Sequence, residues 1–358
     1  MIDLSLDPEL ELLRETARQF GAERLRPRER EFEAARGVDG ATRRAFAETG
    51  LAAVEWPESL GGAGLGALAH ALVLEELGAA DAGAALALDP LGPAYAALAE
   101  LGEEPALHAI ARPLLERPGA RAVLVWNGER RVELRAGRAS GAIPWIPADR
   151  ADALVLLDAD SVAVVEAGSA YAPLRGAGLR AAGAAELRLE RAPVRDWWVN
   201  PRAAGRALAR ARHYVGSLLV GVMRAAAEFS RGYALERVAF GRPIAHHQAL
   251  AFLIADMATA VDGARLLVHE AACALDRGEP AEALCATAFA EAVEQAMFVT
   301  PNAVQILGGH GFMQDYPVEK WMREARALGL LFGGADAARE DAARDLASET
   351  APLALVAP

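Results

Sequence analysis

The sequence predicts a mainly α-helical protein with a central β domain. An N-terminal helical domain is expected over residues 1–118 and a small, shortened β-domain over 119–199. A C-terminal four-helix bundle follows over 200–347, then a tail over 348–358. Three observations carry this reading. Apolar residues recur at helical spacing in the first third and again after Asn200. Between Ala120 and Val199, short β-type runs alternate with turn residues. At 358 residues the chain exceeds the ~250–300 residues that one core supports.

The elements follow in order. Asp7-Pro8-Glu9 reads as an N-cap, a first-turn proline and an acidic first turn. Leu12, Leu13, Thr16, Ala17 and Phe20 continue that helix. A glycine-rich loop spans Trp56 to Gly64. A second long helix is expected from Leu65 to Leu77, stopped by Gly78. Strands are expected at Ala122–Trp126, Arg131–Leu134, Ala153–Leu157, Val162–Glu166 and Glu186–Leu189, mostly antiparallel. Asn127-Gly128 and Ala136-Gly137 read as turns. Asn200-Pro201 starts a helix running to about Arg237. Further helices are expected at His247–Asp276 and Pro280–Leu307, and from Pro317 and Ala335.

Composition excludes several functions. Lys and Arg number 37 against 49 Asp and Glu, a net charge of −12, which disfavours nucleic-acid binding. No apolar run reaches the ~18 residues of a membrane span. Met1-Ile2-Asp3-Leu4 does not resemble a signal peptide, so a cytoplasmic location is expected. Cys273 and Cys285 lack metal or redox spacing and read as buried thiols. The seven histidines form no ligand pattern, and no metal is expected.

Several blocks are specific in combination. Tyr233-Ala-Leu-Glu-Arg237-Val-Ala-Phe240-Gly241 leads to Gln248, followed by Leu253-Ile-Ala-Asp256-Met257. Gln305-Ile-Leu-Gly308-Gly309-His310-Gly311-Phe312 precedes Val318-Glu-Lys-Trp-Met-Arg323-Glu324-Ala325-Arg326. Upstream stand Pro57-Glu-Ser-Leu-Gly61-Gly62-Ala-Gly64 and Glu75-Glu76-Leu77-Gly78. Together they resemble the motifs of the acyl-CoA dehydrogenase family across nearly the whole chain. The resemblance implies FAD as cofactor and an acyl-CoA thioester as substrate. It also implies an electron-transferring flavoprotein as acceptor. Arg237, Phe240, Gln248, Gln305, Gly308 and Gly309 would hold the ADP half of an FAD bound mainly in the neighbouring subunit. Chemistry supports this, since a guanidinium pairs with pyrophosphate and glycines permit close approach. Asp256, Met257, Arg323 and Glu324 read instead as residues that maintain the fold.

The same comparison shows what is missing. Phe332 stands where the family's catalytic Glu is expected, and Gly334 where a flavin-bonding Thr is expected. The other known base position falls on Ala211, between Arg210 and Arg212. No catalytic residue is therefore assigned. The flavin-ring strand appears as Trp145-Ile146-Pro147, where proline lacks both hydroxyl and N–H. A chain with only the lending half-site fits opposite an unlike subunit that carries the catalytic Glu or Asp. The alternatives are a self-sufficient flavoenzyme with a relocated base, or a non-enzymatic scaffold. Asp336 is the first candidate for such a base, four residues beyond Phe332 and on its face if that segment is helical; Glu228 and His213 follow.

Overall fold

The structure is a computed structural model that describes residues 5–101, 104–117, 119–166 and 171–348. The expected loose tail, beyond Ser348, and Met1–Leu4 lie outside the described residues. The first block is helical: α1 (Pro8–Phe20), α2 (Glu29–Ala35), α3 (Gly40–Thr49), α4 (Gly66–Leu88), α5 (Pro93–Glu100) and α6 (Glu104–Leu115). Asp7 caps α1 by accepting from the N–H groups of Glu9 and Leu10. Asp39 caps α3 in the same way.

The strands follow: β1 (Ala122–Trp126), β2 (Val132–Arg135), β3 (Arg138–Ile146), β4 (Ala153–Leu157), β5 (Ser161–Val165), β6 (Tyr171–Pro173) and β7 (Ala185–Val199). Their order is β1-β4-β5-β7-β3-β2, with β6 also on β7. Among the described residues only the β1–β4 pairing is parallel. The long strand β7 pairs β5 through its C-terminal half and β3 and β6 through its N-terminal half, so it joins two half-sheets. Side chains alternate faces along a strand. Val123, Val125, Leu154 and Leu156 meet the core between the half-sheets, whereas Leu124, Val155 and Leu157 meet the helical core. Burial on both faces explains why β1 and β4 are continuously apolar.

The sequence pattern does not reveal β3 or β6. Gly141 and Pro144 break the apolar alternation of β3, and its pairing with β7 shifts register at both places. Ladders to β2 on one side and β7 on the other hold it in the sheet. The Ala136-Gly137 turn joins β2 to β3, with both residues at positive φ.

The remaining elements are α7 (Pro201–Glu236), a ribbon of β8 (Val238–Ala239) and β9 (Arg242–Pro243), α8 (Gln248–Asp276), α9 (Glu282–Leu307), α10 (Val318–Leu328) and α11 (Gly334–Ser348). His213 of α7 bonds to Val268 of α8, while Tyr233 of α7 bonds to His310 just after α9. Helix α8 therefore runs antiparallel to α7, and α9 runs parallel to it.

One expectation is corrected. Gly78 does not stop a helix, because α4 continues to Leu88. Its role is contact. A β-carbon on Gly78 would lie 2.6 Å from the carbonyl oxygen of Leu218, and one on Gly221 2.0 Å from that of Glu75. The two glycines let α4 and α7 touch backbone to backbone. Arg224 fastens the crossing through Glu75 and Glu76, at 2.9 and 2.6 Å. Helix α4 is interrupted instead at Asp81 (φ −163°, ψ 102°), whose carboxylate caps Ala84 and faces the buried Lys320 at 3.1 Å.

Replacing Gly221 with Ala should lower stability by about 1–3 kcal/mol, the usual range for overpacking. Helix propensity alone predicts a gain of ~1 kcal/mol. The sign of the change in a urea denaturation curve decides between them.

Candidate functional site: an interdomain cleft and an exposed bundle end

A cleft of about 1440 Å³ opens between the β-domain and the bundle. Trp126, Trp145 and Pro147 line it from the β side, and Leu208, Arg212 and Met297 from α7 and α9. The turn Leu331–Gly333 and α11 complete it. Phe332 is 5% exposed and left-handed, with φ 51°. Its carbonyl accepts from Nε of Arg212 at 3.2 Å. Arg212 is itself buried and donates Nη1 to Asp341 at 2.7 Å. Burial lowers its pKa, and the Asp341 carboxylate opposes that shift.

No buried, unpaired carboxylate lines the cleft among the described residues. Asp341 is tied to Arg212 and to Arg344, and Glu294 to Arg339. Asp336 is fully exposed, 3.9 Å from Arg339. It does not share a helical face with Phe332, because α11 starts at Gly334, after the left-handed turn. Ala211 is buried and does not line the cleft. Glu228 is exposed beside Arg224 at 4.0 Å. His213 is buried in the helical core and bonds to the Val268 carbonyl at 3.2 Å. Burial pulls its pKa from 6.5 down to about 4, so the imidazole is neutral at pH 7. Of the cysteines, Cys285 is buried with its thiol pushed up to about 12, while Cys273 is only half-buried.

The ADP-side candidates gather at the far end of α7. Arg237 caps that helix, and the β8–β9 ribbon folds back so that the Ile244 N–H donates to the Arg237 carbonyl at 2.8 Å. The Tyr233 hydroxyl meets His310 Nδ1 at 2.8 Å, tying this end to the turn after α9. Gln248 opens α8, and Gln305, Gly308 and Gly309 close α9. The guanidinium of Arg237 and the amides of Gln248 and Gln305 have no partner among the described residues. A β-carbon at Gly308 or Gly309 would meet nothing within 4 Å, so neither glycine is required by packing inside the chain. Phe240 is 96% exposed at the ribbon tip. These free donors and open glycines suit a pyrophosphate and its nucleoside. Pro147, which has no N–H, lines the cleft from the β side.

Guanidinium stays protonated, so neither Arg210 nor Arg212 can act as a base. The structure gives both a place. Arg210 is half-buried between Glu55 and Glu100, stacks over Tyr95, and joins α7 to the N-terminal block. Glu55 also holds His70 at 2.9 Å; burial would raise its carboxyl, but the Arg210 guanidinium and the hydrogen bond from His70 keep it far below the usual range. The signal was present in Arg210-Ala-Arg212-His213, a titratable run inside an apolar stretch.

Residues 202–347 match the C-terminal domain of acyl-CoA dehydrogenase, and residues 7–111 its N-terminal domain. This chain belongs to the acyl-CoA dehydrogenase family. Acryloyl-CoA reductase (NADH) of Anaerotignum propionicum is 29% identical over 380 residues, covering 96% of each chain. Butyryl-CoA dehydrogenase from Megasphaera elsdenii superimposes with a TM-score of 0.84 at 23% identity, over 97% of this chain and 100% of that one. A glutaryl-CoA dehydrogenase from Mycobacterium smegmatis in complex with FADH2 gives a TM-score of 0.83 at 18% identity, over 97% and 96%. The family's reaction is the flavin-dependent dehydrogenation of acyl-CoA, and FAD is the indicated cofactor. Among the described residues no helix is long and apolar enough to cross a membrane, and no cluster of metal-ligating side chains forms.

The depressed pKa of His213 makes stability depend on pH. Below about 6.5 the unfolded chain takes a proton that the folded chain refuses until about 4. Stability should be intact above pH 6.5 and fall by about 3 kcal/mol towards pH 4. In His213→Gln, urea midpoints should decline less across that window.

Proposed function

We propose that this chain is the non-catalytic subunit of a hetero-oligomeric acyl-CoA dehydrogenase. It lends the ADP-side half-site for FAD to an unlike partner that carries the catalytic Glu or Asp. The observation that carries this reading is Phe332, buried beside the cleft where the family's base is expected. A phenyl ring cannot take the α-proton of a thioester. Ala211 cannot either. Of the carboxylates that line the cleft, Asp341 and Glu294 are bonded to arginine, Asp336 is fully exposed, and Glu282 accepts from the N–H of Ala281 at the start of α9.

Geometry adds a second support. Arg212 lines the cleft, and Arg237 caps the other end of the same unbroken helix. At 1.5 Å per residue the two are about 37 Å apart. One dinucleotide does not span that distance, so the exposed end serves a flavin seated on another chain. Large apolar residues cluster around it: Leu235, Val238, Phe240, Phe252, Phe312 and Met313 are all exposed. Such a patch marks a protein contact. Among the structural neighbours is a steroid ACAD, Tcur3481-Tcur3483, with a TM-score of 0.82 at 25% identity, whose name joins two proteins. Another is described under the electron transferring flavoprotein of Acidaminococcus fermentans, with a TM-score of 0.85 at 25% identity, and an electron-transferring flavoprotein is the acceptor we infer. A cytoplasmic location is part of the same proposal.

Two experiments test it. Purified alone, the chain should show little flavin absorbance and no dehydrogenation of acyl-CoA with an artificial electron acceptor. Robust turnover by the isolated, flavin-loaded chain would reject the proposal, and loss of that turnover in Asp336→Asn would establish a relocated base. In the complex, Arg237→Ala should weaken FAD retention by ~1.5–3 kcal/mol, the worth of a charge-assisted hydrogen bond. Flavin content after gel filtration gives the readout, and Gln305 and Gln248 variants should act in the same direction but less.

A further inference from the structure

Arg212 has hydrogen-bonding capacity that the chain does not use. Its side chain is 2% exposed, yet Nη2 is bonded to nothing among the described residues, while Nε and Nη1 hold Phe332 and Asp341. A buried guanidinium donor left without an acceptor is costly. The Trp126 indole Nε1 also lacks a partner among the described residues. Both nitrogens lie near Gly333, beside the Ala337 methyl. A β-carbon there would stand 3.3 Å from Trp126 Nε1 and 3.6 Å from Arg212 Nη2. Gly128 packs against the indole so closely that its β-carbon would fall 2.3 Å from the ring and 2.5 Å from Nε1. Both side chains line the large cleft.

We propose that Arg212 and Trp126 form a carboxylate-binding subsite in the cleft, suited to a small organic acid with an apolar tail. Two N–H donors approaching from different elements match the two oxygens of one carboxylate. Arg212 and Arg344 are matched by Asp341 and Glu340, at 2.7, 2.5 and 3.3 Å, so a single carboxylate would be held by the two free N–H groups and not by surplus charge. A dianionic phosphate is disfavoured by Asp336, Glu340 and Asp341, which line the same cleft. Ile143, Trp145, Leu208 and Met297 supply an apolar wall for the tail. The subsite uses only this chain's own side chains and stands whether or not the partner-subunit reading does.

The test is a calorimetric titration of the full-length chain with hexanoate, with hexanol and hexyl phosphate as comparisons. Hexanoate should bind saturably and more tightly than either. Trp126→Phe, which keeps a packing ring but removes the donor, should weaken hexanoate about tenfold, and Arg212→Gln at least as much. If Arg212→Gln does not fold, Trp126→Phe decides alone. The subsite is overturned if hexanoate does not saturate, if hexanol or hexyl phosphate binds as well, or if either folded variant retains wild-type affinity. No flavin or turnover enters this measurement, so its failure is distinct from failure of the partner-subunit reading.

Discussion

Everything in this structure is referred to one helix crossing. Helices α4 and α7 meet backbone to backbone because Gly78 and Gly221 carry no side chain at the contact. Side chains of ordinary size would hold the axes farther apart. With the crossing closed, Glu75 and Glu76 reach Arg224, and Glu75 also reaches Arg265 of α8. Farther along α7, the same docking brings Arg210 against Glu55 and Glu100 of the N-terminal block. Helical geometry then sends neighbouring residues different ways. Arg210 faces the N-terminal block, Arg212 faces the cleft and α11, and His213 faces α8. One stretch of α7 therefore both locks the domains together and lines the cleft.

The second anchor is a buried charge cluster. Lys320 of α10 sits between Asp81 and Glu324, at 3.1 and 2.7 Å, with all three side chains fully buried. Burial pushes Glu324 up to about 7 despite the adjacent ammonium. A buried pair of this kind adds little net stability when intact and costs much when one partner is removed. It fixes the register of α10 against the break in α4, and α10 leads directly into the Phe332 turn. The cleft and the exposed bundle end are thus rigidly related through α7 and α10, although they lie at opposite ends of the bundle.

Much of the fold was legible because its signals are local. Asp7-Pro8 and Asn200-Pro201 announce helix starts, and the caps form as read. The apolar runs of β1, β4 and β5 announce strands buried on both faces. Strand β3 was not legible, since Gly141 and Pro144 erase the alternation and only neighbouring strands restore the ladder. Gly78 was misread for a related reason. Sequence ranks glycine as a helix terminator, while the helix packed against it makes glycine a requirement.

The sequence by itself determined the family, the order of helical and β regions, and the identity of the residues at the positions where a catalytic base is expected. Those are properties of residue type and spacing. Only the tertiary structure decided which groups share a site. It separated Asp336 from Phe332, because a left-handed turn intervenes before α11 begins. It brought Trp126 and Arg212 to one glycine from opposite walls of the cleft. It left Arg237, Gln248 and Gln305 without partners among the described residues at one end of the bundle, turned outward. The physical reason is that side-chain availability depends on what surrounds a group in three dimensions. An arginine in a sequence is only a charge; burial, paired donors and an unused N–H appear when distant segments pack around it.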